Sequence, residues 1–78
     1  MLGAQVMGAR FRLRELLEAA SMSQSELARR SGISFQTINA IVGNRTAQVS
    51  LNTLDAISKA LGLEPGDLLE RDPKRRRK

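Results

Sequence analysis

Residues 24–43 read Gln-Ser-Glu-Leu-Ala-Arg-Arg-Ser-Gly-Ile-Ser-Phe-Gln-Thr-Ile-Asn-Ala-Ile-Val-Gly, and this stretch decides the fold. It divides into two short helices joined by a glycine corner. Leu27 and Ala28 fall on the first helix, Gly32 and Ile33 at the corner, and Ile38 and Ile41 on the second. Ala28 is small where a second helix must cross closely. Gly32 accepts the positive φ of the turn without steric cost. Ile38 and Ile41 form the buried stripe of the second helix, and Phe35, Gln36, Asn39 and Ala40 are left outside. A short helix that follows such a corner with a free polar face suits the major groove of DNA.

Outward from this stretch the chain reads as helices. Phe11, Leu13, Leu16, Leu17 and Ala20 recur at three- and four-residue spacing, which predicts a first helix over about residues 9–20. Ser23 with Glu26 three residues on is the capping-box pattern, so a second helix starts at Ser23 and runs to about Arg30. Ser34 caps the third, which reaches about Val42 and stops at Gly43-Asn44. Ser50 or Asn52 caps a fourth helix with Leu54, Ile57, Ala60 and Leu61 inward and Gly62 at its end. Pro65 opens a short fifth helix holding Leu68 and Leu69. Valine and isoleucine never alternate with polar residues, so no strand is predicted and the fold class is all-α. Residues 1–8 read as a flexible N-terminus, 9–70 as the folded domain, and 71–78 as a basic disordered tail.

Composition narrows the function. Seventy-eight residues make one small domain. The chain has no cysteine and no histidine, which argues against a disulfide framework, a thiolate metal site, and histidine-based catalysis. No carboxylate pair with an evident pocket stands out either, so no enzyme activity and no cofactor are expected. No apolar run approaches a membrane span, and the N-terminus lacks the basic start of a signal peptide, so a cytoplasmic, nucleoid-associated protein is expected. The net charge of +5 is carried by residues 71–78, which hold six of the thirteen basic residues and one acid. Elsewhere the charge is split: residues 10–45 carry six Arg against three Glu, and residues 46–70 one Lys against four acids. One half is positive and the other negative, as fits a protein with one face toward phosphates.

Leu13-Arg14-Glu15-Leu16, Met22-Ser23-Gln24, Glu26-Leu27-Ala28, Gly32-Ile33-Ser34, Thr37-Ile38, Leu54, Ile57 and Ala60-Leu61-Gly62 together resemble the Cro/C1-type helix-turn-helix regulators of phages and bacteria. The resemblance covers about residues 12–70. Its ending, residues 63–70, looks like that of the compact one-domain members. It implies a five-helix lambda-repressor-like domain with helices 2 and 3 as the helix-turn-helix. It also implies base reading by Ser34, Phe35, Gln36, Asn39 and Ala40, and phosphate contacts from Gln24, Thr37, Asn44, Arg45 and Thr46. Gln36 or Asn39 suits a bidentate contact with adenine N6 and N7. Phe35 lies three residues before Ile38 and close to the core stripe. The motif register turns it outward, where its ring suits a thymine methyl.

Three departures stand out. Many family members pair an Arg at the position of Leu17 with a Glu at the position of Val42; here both are apolar, and the two are expected to touch. Gly43-Asn44 reverses the more usual Asn-Gly. The loop 45–50 lacks the proline common in the family.

The implied function is a sequence-specific regulator that acts as a repressor by occupying a promoter, with double-stranded DNA as partner and no membrane. One reading helix covers only ~3–5 base pairs, too few for tight specific binding, so a homodimer on a palindromic operator is expected. Leu51, Leu63, Leu68 and Leu69 supply either a two-fold interface or closure of the monomer core. Arg12 or Arg14 reaches the DNA backbone or is merely solvated, and the tail is either a DNA arm or a solubilising end. The alternative is an antitoxin-type or protein-interaction module on the same fold, with a protein partner and a nonspecific polybasic tail.

Overall fold

A computed structural model describes residues 8–46 and 48–71 of the chain. The order of elements is β1 (Ala9–Phe11), α1 (Leu13–Ala20), α2 (Gln24–Ser31), α3 (Phe35–Val42), α4 (Leu51–Leu61), a 3-10 turn (Pro65–Leu68) and β2 (Leu69–Arg71). Three helices begin at the serines expected to cap them. The hydroxyl of Ser23 accepts from the Glu26 N–H (3.0 Å), that of Ser34 from Thr37 (3.2 Å), and that of Ser50 from Thr53 (3.1 Å). Each satisfies an N–H that the first helical turn leaves unpaired. Ser50, not Asn52, is therefore the cap of α4. At Ser23 only half of the capping box forms, because the Glu26 carboxylate turns away to Arg29 and Arg30.

The all-α, five-helix expectation is corrected at both ends of the domain. Residues 9–11 do not extend α1. They pair antiparallel with residues 69–71, in the register Ala9 to Arg71, Arg10 to Glu70 and Phe11 to Leu69. The fifth helix is a single 3-10 turn, and its expected continuation, Leu69, lies in β2. Arg71, assigned to the tail from sequence, is the last residue of that strand. The cause is backbone satisfaction. Arg12 precedes α1 without a side-chain cap, its N–H donates to the Leu68 carbonyl (2.8 Å), and residues 9–11 find partners in β2. Residues 1–7, most of the expected flexible N-terminus, and residues 72–78, the rest of the expected tail, lie outside the described residues.

The core is one cluster of Phe11, Leu13, Leu17, Leu27, Ile38, Ile41, Val42, Ile57 and Leu68. Every element except β2 supplies part of it. α2 packs on both α3 and α4, which fixes the angle at which α3 leaves the corner. Gly32 forms that corner at φ 77. Leu17 and Val42, expected to touch, are both buried and line the wall of one cleft. Leu68 closes the core, whereas Leu51 (82% exposed) and Leu69 (41%) remain outside.

Candidate nucleic-acid interface

The outer face of α3 starts at its cap. The Ser34 hydroxyl accepts from the Thr37 N–H and donates to Thr37 Oγ1 (2.9 Å), so both of its functions are engaged in the first turn. Phe35 is 49% exposed, which resolves its register outward. Gln36 is exposed, and with Thr37 and Ala40 it forms one wall of a cleft of about 330 Å³. The opposite wall comes from Thr46, Gln48, Val49, Ser50 and Thr53, ahead of and within the first turn of α4. The Thr46 hydroxyl donates to the Gln48 carbonyl (3.1 Å) and accepts from its N–H (3.3 Å), which ties these two residues together.

The second turn of α3 is cross-linked rather than free. Asn39 Nδ2 donates to Gln24 Oε1 (2.9 Å), joining α3 to the first residue of α2. Arg45 Nη2 donates to Asn39 Oδ1 (2.5 Å) from the other side. The Arg45 guanidinium lies over Gly43, where any added Cβ would collide with it. Gly43 itself has φ −85, a backbone any residue adopts. The left-handed residue is Asn44, φ 55. Asparagine is among the few side-chain-bearing residues that tolerate this region.

The side chain of Asn44, expected to contact a phosphate, bonds within the protein. Its Oδ1 accepts from the Phe11 N–H (2.8 Å) and its Nδ2 donates to the Phe11 carbonyl (3.0 Å). The amide thus pairs with β1 as a peptide group of a third strand would. Sequence reasoning did not find this bridge, nor the one between Gln24 and Asn39. The one signal for it was an asparagine placed after a glycine at a helix end, the residue type that fits αL and can bond backbone at the same time.

Charge on this side is partly spent. Among the described residues, Arg10 pairs with Glu15 and Glu70, and Arg29 and Arg30 both pair with Glu26. Hydrogen bonds from Arg29 and then Arg30 hold the Glu26 carboxyl below its ordinary range. Arg14 and Arg45 meet neutral acceptors instead. Arg14 Nη2 lies 3.5 Å from the Val42 carbonyl, at the C-terminal end of α3 where a cation is favoured. Arg14 and Gln24 line a cleft of about 440 Å³ with Leu17, Met22 and Val42. Gln24 and Arg45, the two outer members of the side-chain bridge, therefore flank α3 as polar donors. Among the described residues no group of acidic side chains is placed to hold a metal ion, and no helix is long and apolar enough to cross a membrane.

Residues 12–74 match the family of the Cro/C1-type helix-turn-helix DNA-binding domain. Over 55 residues the chain is 38% identical to the uncharacterized HTH-type transcriptional regulator YozG of Bacillus subtilis (strain 168), a match covering 70% of this chain and 66% of that protein. The match thus spans just under two thirds of that relative's length. A Bacteroides fragilis protein, crystallised as a candidate DNA-binding protein, superposes with a TM-score of 0.69 at 26% identity, over 80% of this chain and 98% of its own.

Proposed function

Because the chain belongs to the Cro/C1-type helix-turn-helix DNA-binding family, we propose that it is a transcriptional regulator that lays α3 in a major groove and represses by occupying a promoter. The observation that carries this is the outer face of α3. Exposed Phe35 and Gln36 stand there with Ala40, and the donors Gln24 and Arg45 flank them. Side chains to the base edges in the middle and donors to phosphates at the sides are what groove reading requires.

In this reading Gln36 is the planar amide left on α3 for adenine, and Phe35 meets a thymine methyl. Ser34 sits at the mouth of the groove with its hydroxyl shared with Thr37. Thr37, Arg45 and Thr46 join Gln24 on phosphates, Thr37 and Thr46 from the walls of the cleft beside α3. The side chain of Asn44 holds β1, so its share of the phosphate contacts passes to Arg45 and Thr46. The homodimer rests on Leu51 and Leu69, the two large aliphatic side chains left exposed among the described residues. Pairing two copies would place two α3 helices in grooves one turn, ~34 Å, apart on an inverted repeat.

Selection of bound duplexes from a random pool tests this reading, with the full chain, with Gln36→Ala, and with residues 72–78 removed. An inverted repeat that loses definition in Gln36→Ala is the expected result. Sequence-blind binding that vanishes with residues 72–78 would instead make the domain an interaction module with a polybasic tether.

A further inference from the structure

The bridge between α2, α3 and the segment after α3 has a direction that chemistry imposes. Arginine has donors and no acceptor, so the Asn39 atom facing Arg45 must be Oδ1. That leaves Asn39 Nδ2 to face Gln24, and Gln24 must answer with Oε1. The Gln24 amine is then the end that points out of the bridge, as a donor. Flipping any one amide would set donor against donor or acceptor against acceptor at the next link.

From this polarity we infer that Asn39 is a positioning residue for the phosphate contacts rather than a reader of bases. Both ends of its amide already bond within the protein, so to meet an adenine edge Asn39 would have to share or release the bonds to Gln24 and Arg45. What it does is hold two donors. It turns the Gln24 amine outward at the N-terminus of α2, and it fixes the Arg45 guanidinium beyond the end of α3. An amide does this without cancelling charge. Arg29 and Arg30 share the one Glu26 carboxylate, which offsets half of their charge, whereas Arg45 keeps its full charge for an outside anion. Gly43 belongs to the same device. Its φ of −85 does not call for glycine, but the Arg45 guanidinium occupies the space a Cβ would take.

The inference rests on the reading that this face lies against duplex DNA, and the test separates the two. The probe is a mixed-sequence DNA duplex titrated over a range of salt, with sequence selection from a random pool alongside. Asn39→Ala is expected to weaken binding roughly tenfold on all sequences alike and to lower the salt slope by about 1 for each phosphate that the variant no longer neutralises. The selected sequence stays the same. Gly43→Ala, which keeps the fold and moves the guanidinium, is expected to weaken binding in the same uniform way while melting no lower than the parent. In a Gln24→Ala/Arg45→Ala background, Asn39→Ala is expected to cost nothing further, because the groups it acts through are gone. A changed base preference in Asn39→Ala, or its full cost persisting in that background, would overturn the positioning role and leave the DNA-reader standing. A parent chain that binds no duplex at all would remove both.

Discussion

At the C-terminal end of α2 a glycine and two arginines stand near a carboxylate; at the C-terminal end of α3 a glycine and one arginine stand near an amide. The first glycine, Gly32, takes φ 77, and open space surrounds the position of its missing Cβ. It is there for the backbone alone. The second, Gly43, has an ordinary φ, and the left-handed step falls to Asn44. It is there for the room it leaves to Arg45. The arginines divide the same way. Arg29 and Arg30 close on Glu26 within their own helix, and Arg45 rests on Asn39 with its charge intact. Corners built of the same residue types thus serve different ends: the one at Gly32 sets the angle between helices, and the one at Gly43 presents a cation.

The contrast breaks most visibly at Asn44. Asn44→Ala forfeits two hydrogen bonds to Phe11 and puts a Cβ-bearing residue without a local polar partner in the left-handed region, an expected loss of about 2–4 kcal/mol. Asn44→Gly keeps the backbone freedom and loses only the bonds, so about 1–2 kcal/mol is expected. Denaturant melts of the two variants compare these costs directly, and equal losses would mean that the backbone conformation contributes nothing. Next in size is Gly32→Ala, expected to cost about 1–2 kcal/mol through φ alone. Duplex affinity per folded molecule should not change in that variant. A drop in affinity at full folding would show that the first corner also serves binding.

The middle of the domain was legible because its signals are local. Serine before each of α2, α3 and α4, a glycine in the left-handed region after α2 and α4, and apolar residues at helical spacing between them all act within a few positions of one another. The ends were not. Phe11 fits the helical stripe of Leu13, Leu16 and Leu17 as well as it fits a strand. What decides is β2, at the other end of the described chain, which a local pattern does not contain. Leu69 misled for the same reason, since three residues of strand carry too little alternation to register. In the interface, the outward turn of Gln36 and Ala40 followed from the Ile38/Ile41 stripe, and that of Phe35 from the motif register alone. The tie between Gln24 and Asn39 spans fifteen positions and depends on how two helices cross. Helical period places a residue on a face and leaves its hydrogen-bond partner across the corner undetermined.

Gly43→Ala sharpens the comparison by inverting Gly32→Ala. Its backbone accepts alanine, and alanine reduces the freedom of the unfolded chain, so stability should hold within about 0.5 kcal/mol or rise slightly. The guanidinium that must move is the far end of a flexible side chain. Alanine at Gly32 therefore costs stability and spares binding, and alanine at Gly43 is expected to do the reverse. A large stability loss at Gly43 would mean that the Arg45 contact holds the fold together rather than presenting a charge.

The smallest effect is expected at Glu26, where the two corners differ in their response to acid. Hydrogen bonds from Arg29 and Arg30 lower its pKa, so the folded state binds a proton there less readily than the unfolded chain does. The stabilisation is thus complete above the unfolded carboxyl's value of 4.5 and is lost as pH falls through the lowered folded value. Both arginines are largely exposed, so solvent screens the pair and the change should be slight. Melting curves of Glu26→Gln and the parent should therefore converge toward the acid end of a pH series and separate above it, with the parent the more stable. The bridge at Asn39 holds no carboxylate, so Asn39→Ala should melt with the parent's pH profile throughout. An acid-dependent gap between Asn39→Ala and the parent would tie the second corner to a titrating group and dissolve the distinction between a carboxylate-paired arginine and a presented one.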